Sequence, residues 1–299
     1  MNILFIHSRD FWDNGWLVNR DLVKAAKQAL VEGGIQVEER EVVSVSELES
    51  LLDEVPSSTL IWPNAYYVAN DQGTPVWIPG IIEQKGLPYL GNDAASLEAM
   101  LHKGDTYARM APYGAPVPKY LVWESGTPSP FASDWETSGL SFPISMKPSS
   151  ESSSSGVKRV LNQSEAEAHA AELFHKYPQS DVMLEEFLPS EDIACGYFQL
   201  GDEILMLPTF YASKEVSGKE HMVERDLGVG PWGGEAIIMP PIQDEDILSQ
   251  LTETMPKVVA SLCIRGVTRA DGRLDDQGVL RYFDVNGMPE MSYPKSVIV

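Results

Sequence analysis

Two cysteines, Cys195 and Cys263, are all that 299 residues contain, and their spacing fits no zinc or CxxC pattern. A disulfide-stapled secreted domain is thereby excluded, and the pair reads as two buried thiols. Basic residues are also scarce, with 22 Lys and Arg against 44 Asp and Glu and a formal net charge of -22. A surface that negative repels phosphate backbones and anionic headgroups, so neither nucleic acid nor a membrane is an expected partner. No apolar run approaches the roughly 20 residues of a membrane span. Met1–Ile6 lacks the basic segment and cleavage site of a signal peptide, and the expected location is cytoplasmic. No GxxxxGK[ST], HExxH or Ser-His-Asp arrangement can be read. His7, His169 and His175 read as ordinary core or surface histidines.

What is present is 43% hydrophobic residues, enough at this length for two or three subdomains around a cleft. Apolar runs at 2–7, 37–43 and 59–62 read as strands, and the periodic stretches 17–31, 44–53 and 76–84 as helices. With a strand end at Pro88–Gly91, this alternation predicts a parallel α/β domain over residues 1–91. A helix over 94–110, a turn at 114–118 and a strand at 120–123 follow. A Ser/Thr/Pro/Gly-rich loop spans 125–141, then a strand at 142–147 and a helix at 165–177. From Val182 the pattern is strands around a long polar loop, a helix over 244–263 and a hairpin at Asp275–Gly278. Ser149–Ser155 is the one low-complexity stretch.

The strongest local signal is Arg269-Ala270-Asp271 followed, after the hairpin, by Asp284-Val285-Asn286. Alternation puts the outer members of each triplet on one face. If the two strands pair antiparallel, Asp271, Asp284 and Asn286 converge as an all-oxygen cluster of the kind Mg2+ takes beside nucleotide phosphates. Arg269 would add a fixed cation; an exposed hairpin with acidic tips is the alternative. Lys147 ends an apolar strand and leads into the serine run, which reads either as a phosphate-cradling hairpin loop or as a linker. Leu184-Glu185-Glu186-Phe187-Leu188 is an extended segment able to offer backbone groups to a base edge, or simply a strand ending in solvated acids. Lys214, Lys219, His221 and the Gly228–Gly234 stretch around Trp232 read as a shaped loop over a cleft, or as a Trp anchoring a surface loop.

Taken in order, these segments resemble the ATP-grasp superfamily, closest to the D-alanine–D-alanine ligase branch, from Gly86 to Asn286. Gly86-Leu87-Pro88-Tyr89-Leu90-Gly91 with His102-Lys103 resembles the branch's GLPYTG segment and its nucleotide-binding lysine, here Lys103. The resemblance implies Lys147 as a second phosphate lysine and Ser153 and Ser154 as covering the γ-phosphate. It implies an adenine hinge of Glu185 with the backbone of Glu186 and Leu188, and Glu191 or Asp192 on the ribose. Phe210 would lie near the adenine, with Lys214 among the nucleotide contacts. Asp271, Asp284 and Asn286 would hold two Mg2+ ions, with Mn2+ able to substitute, and Arg269 would steady the tetrahedral intermediate.

The implied fold is α/β with α+β subdomains, an ATP-grasp fold in three parts: residues 1–91, 92–183 and 184–299, with ATP between the last two. The implied enzyme is an ADP-forming carboxylate–amine ligase acting through an acyl phosphate on a small amino-acid-like substrate, with a homodimer possible. Two departures stand out. Pro289-Glu290 replaces the branch's Pro-Gly, and the chain ends soon after Asn286, a size and truncation resembling the D-cycloserine synthetase type. The serine run also lacks the branch's glycine at position 152, and Gly228–Gly234 is more like the glycinamide-ribonucleotide ligase loop. The expectation is therefore ring closure within one substrate in natural-product (antibiotic) biosynthesis, with an intermolecular dipeptide ligase and a non-catalytic nucleotide-binding regulator as alternatives. Trp12, Trp16, Asn64, Tyr66, Trp232 and Glu290 are the expected substrate neighbours.

Overall fold

The computed structural model describes residues 2–8, 20–151, 155–201, 203–213, 237–238 and 241–289. Strands β1 (Asn2–Ser8), β2 (Gln36–Val42) and β3 (Thr59–Pro63) form a parallel sheet in the order β2-β1-β3, with α1 (Arg20–Glu32) and α2 (Val45–Glu54) as connections. The middle strand is buried from Ile3 to Ser8, as a parallel strand covered on both faces must be. Ser44 caps α2 by accepting the Glu47 N–H, and Leu48 and Leu52 then pack on Leu4, Ile6 and Ile61. The short hairpin β4 (Tyr67–Ala69) and β5 (Pro75–Trp77) leads into α3 (Ile78–Gln84).

The single helix expected over 94–110 is two, α4 (Ala94–Leu101) and α5 (Lys103–Met110), broken at His102, whose backbone is extended. At the break the Lys103 N–H leaves the helix for the Ser149 carbonyl at 3.0 Å, and Thr106 Oγ1 donates to the Ala99 carbonyl that Lys103 would have bonded.

The central sheet comprises β6 (Tyr120–Trp123), β7 (Ile144–Pro148), β8 (Lys158–Val160) and β9 (Val182–Glu186), antiparallel in the order β6-β9-β7-β8. A short helix α6 (Trp135–Ser138) precedes β7, and α7 (Gln163–Lys176) lays Ala166, Ala170 and Leu173 on Ile144, Val160 and Val182. The serine run therefore joins two strands paired in register, as a hairpin loop does.

The C-terminal sheet runs β12-β11-β10-β13-β14, from β10 (Asp192–Leu200), β11 (Glu203–Ser213), β12 (Ile237–Ile238), β13 (Val267–Leu274) and β14 (Leu280–Asn286). Helix α8 (Glu245–Ser261) covers one face, packing Leu251, Met255 and Val258 against Ile193, Cys195, Ala270 and Tyr282. Leu97 and Met100 of α4, Met110 of α5 and Tyr66 join this same core, so the two helices next to Lys103 pack with the C-terminal sheet. The thiols differ from expectation: Cys195 is buried, but Cys263 is exposed just beyond α8, on a backbone with φ of 51°.

One irregularity decides which side chains face outward. Asp271 pairs with Asp284, but Gly272 pairs with Tyr282, so Phe283 is an extra residue in β14. Before it, Leu280 and Tyr282 point into the core; after it, Val285 does, and Asp284 and Asn286 turn to the other face. Strand β13 stays regular, with Thr268, Ala270 and Gly272 buried inward and Arg269, Asp271 and Arg273 on the opposite face. Gly272 is required there, since a Cβ would lie 2.7 Å from the Arg281 carbonyl oxygen.

Candidate active site

The antiparallel pairing of β13 and β14 brings Asp271 directly opposite Asp284 and Arg269 opposite Asn286. Arg269 grips Asp271 with Nε (2.8 Å) and Nη2 (2.7 Å), and Asn286 Nδ2 reaches both carboxylates at 3.3 Å. Lys103 Nζ stands 3.5 Å from Asp284 and donates to the Glu151 carbonyl at 2.7 Å. Burial pushes the Asp271 carboxyl upward, with Arg269 pulling against it. Burial acts the same way on Asp284, but Lys103, Lys147 and Arg269 together outweigh it and hold that carboxyl low.

Two opposed carboxylates and an amide form an all-oxygen donor set, and opposed like charges destabilise a ladder unless cations meet them. Among the described residues no three His, Cys, Asp or Glu side chains converge as a metal-binding group. The arrangement fits Mg2+ in a nucleotide site, which draws one or two carboxylates from the protein and the rest from phosphate and water.

The bulge also supplies the neighbouring lysine. The Phe283 carbonyl, out of the ladder, accepts from Lys147 Nζ at 2.9 Å and from Tyr107 Oη at 2.8 Å. Lys147 Nζ is 2.8 Å from Glu185 Oε1, which also accepts from Tyr107 Oη at 2.6 Å. Burial pushes the Lys147 ammonium down, opposed first by Glu185; burial, reinforced by Glu185, pushes the Tyr107 hydroxyl well up. Three subdomain elements (α5, β7 and β9) thus meet β14 in one buried polar knot.

The hinge differs in detail from expectation. Glu185 turns to Lys147 and Tyr107, and the Glu186 N–H is taken by the Lys119 carbonyl at 2.9 Å. The Leu188 carbonyl accepts from Arg273 Nη1 at 3.1 Å. Glu191 is exposed, whereas Asp192 is bound by Arg273. Phe210 is a correction: it pairs with Ile193, one residue off the parity of Asp192, and packs toward the core beneath the sheet. Tyr211 holds the register position opposite Asp192.

Asn64 follows β3 at the carboxyl edge of the parallel sheet, its N–H on the Ile6 carbonyl. Tyr66 is buried and stacked on Trp77 at 5.4 Å; burial raises its hydroxyl pKa, and the charge of Asp284 adds to that. Ser153, Ser154, Lys214, Trp232, Glu290, Trp12 and Trp16 lie outside the described residues. Sequence reasoning missed Tyr107 and Arg273. The signals existed: Tyr107 is four residues from Lys103 on one helical face, and Arg273 continues the alternation of 269 and 271.

A family profile described as "D-ala D-ala ligase C-terminus" matches residues 110–297, and the chain belongs to that family. It is an ATP-grasp enzyme, an ADP-forming ligase that makes C–N bonds. A D-alanine–D-alanine ligase of Coprothermobacter proteolyticus is 25% identical over 259 residues, 87% of this chain and 81% of the relative. The solved D-alanine–D-alanine ligase from Bacillus anthracis complexed with ATP has the same fold, with a TM-score of 0.71, 17% identity and 98% and 88% of the two chains covered. The VanG D-Ala:D-Ser ligase from Enterococcus faecalis gives 0.70, 15% identity and 99% and 94%.

Proposed function

We propose that the protein joins the carboxylate of one small amino acid to the amine of another, with ATP turned over to ADP and phosphate. The observation that carries this reading is the convergence of Asp271, Asp284 and Asn286 with Arg269, Lys103 and Lys147 on one face. A carboxylate is a poor electrophile and repels the γ-phosphate, so cations must meet the phosphates before in-line transfer. Lys103 and Lys147 supply two such charges. Mg2+ held by Asp271, Asp284 and Asn286 would supply the rest. The substrate carboxylate oxygen then bonds to the γ-phosphorus and ADP leaves. The amine attacks the acyl carbon, Arg269 steadies the oxyanion, and phosphate departs as the amine loses its proton.

The same proposal includes the nucleotide contacts. Leu188 N–H faces the base edge, and the carboxylate at 191–192 meets the ribose. Ser153, Ser154 and Lys214 close over the phosphates, and Asn64, Tyr66, Trp232 and Glu290 border the amino acids. Subdomains divided near residues 91 and 183, two metal ions replaceable by Mn2+, a homodimer and a cytoplasmic location complete it. Ring closure within one substrate rests on the short stretch after Asn286 and on Glu290, which lies outside the described residues, and the names of the relatives support two-substrate chemistry first.

The test is ADP release with Mg2+, offering D-alanine, D-serine and other amino acids singly and in pairs, with product masses recorded. A product of two residues less one water supports the reading. One substrate less one water replaces it with ring closure, and ATP binding without turnover replaces it with a regulator.

A further inference from the structure

Arg273 is a charged group on the site face that neither phosphate nor metal chemistry explains. It lies one alternation beyond Asp271 and is 7% exposed. Its Nε donates to Asp192 Oδ1 and its Nη1 to the Leu188 carbonyl, 3.1 Å away. The next residue, Leu274, donates its N–H to Ser190 Oγ at 2.7 Å. The link from β9 to β10 is thus tied at three points to the end of β13. A buried guanidinium is weak evidence for stability, since desolvation offsets the pairing. This one also sits directly opposite Arg281, which is turned to Asp275. Like charges facing each other across a ladder are not what packing alone selects.

We propose that Arg273 is a positioning residue for the nucleoside half of ATP, an inference that rests on the nucleotide-site reading above. By holding the Leu188 carbonyl it fixes the chain as it enters Pro189, and so the aim of the hinge at the base. By gripping the Asp192 carboxylate it fixes the orientation in which that group meets a ribose hydroxyl. The planar fork suits this double task, and a lysine offers only a point charge. The guanidinium also cancels the charge of Asp192, which would otherwise repel the polyphosphate.

The experiment compares wild type, Arg273→Met, Arg273→Lys and Asp192→Asn, using ATP, 2′-deoxy-ATP and 3′-deoxy-ATP as probes and thermal unfolding as a control. Losing the charge-assisted contacts should raise the KM for ATP by about tenfold or more, with kcat at saturation within about threefold. The preference for ATP over the deoxy analogues should collapse toward unity in Arg273→Met and in Asp192→Asn. Arg273→Lys should recover part of the KM but not the preference. An unchanged preference in Arg273→Met, with only a lower unfolding temperature, overturns the proposal and makes Arg273 a structural staple. Should Arg273→Met not fold, the lysine and Asp192 variants decide by the same preference. A wild type that releases no ADP removes the underlying reading; an active wild type with insensitive variants removes this inference alone.

Discussion

Asp271 and Asp284 face each other with only nitrogen groups between them and neutrality. Opposed like charges cost a ladder roughly 0.2–1 kcal/mol. Asp271→Asn should therefore leave the unfolding temperature within a few degrees while ADP release falls by roughly a hundredfold or more; measured turnover near wild type would remove the metal assignment. Tyr107→Phe strips one hydroxyl from a knot in which Glu185 Oε1 and the Phe283 carbonyl both depend on it. A buried acceptor left short costs about 1–3 kcal/mol, so denaturant unfolding should show that loss and the KM for ATP should rise as Lys147 loses its register. The convergence of Asp271, Asp284 and Asn286 was legible because two short triplets carried it, and Lys147 stood out only as the end of an apolar strand. For Tyr107 the sequence offered only its place four residues from Lys103 on one helical face, because its partners are 78 and 176 residues away in sequence.

The hairpin between β13 and β14 holds the acidic residues in place, and Asp275 holds the hairpin. Its Oδ1 accepts the Gln277 and Val279 N–H groups, each at 2.9 Å, and its Oδ2 accepts from Arg281 at 3.0 Å. Partial burial alone would raise this carboxyl, but the two N–H groups and Arg281 outweigh it and hold it low. A depressed carboxyl contributes stability that is complete above the unfolded value of about 3.9 and is lost as pH falls through the folded value. Asp275→Asn should therefore cost about 1 kcal/mol at neutral pH and show a flatter acid limb below pH ~4; urea unfolding at both pH values tests it. The Asp-Asp-Gln-Gly turn was readable from residue types. The break at His102 was not, since apolar spacing continues through it and the Lys103 N–H leaves the helix for the distant Ser149 carbonyl. Nor was the bulge: no Gly or Pro marks Phe283, and strict alternation from Leu280 would send Asp284 inward.

Across the whole molecule the segment between α3 and α4 meets the C-terminal sheet at Asn92. This fully buried side chain donates to Gly287 O (2.8 Å), Thr268 Oγ1 (3.2 Å) and Val267 O (3.3 Å) and accepts the Arg265 N–H at 2.7 Å. Asn92→Ala should cost about 2–3 kcal/mol by orphaning buried groups, and urea unfolding should split as the first domain melts apart; one unshifted transition would deny Asn92 that role. The β/α alternation of the first domain was legible because it is local. The packing of α4 and α5 on the C-terminal core was not, because it joins residues more than a hundred positions apart. The extra residue at Phe283 has a consequence for how such a chain can vary. The turn after Asp275 can lengthen without altering either strand, but one residue gained or lost between Tyr282 and Asp284 would swap the faces of β14 beyond that point, driving Asp284 and Asn286 under α8. The reacting end of the protein is thus written in an odd–even frame, and insertions that leave it working should come there in twos.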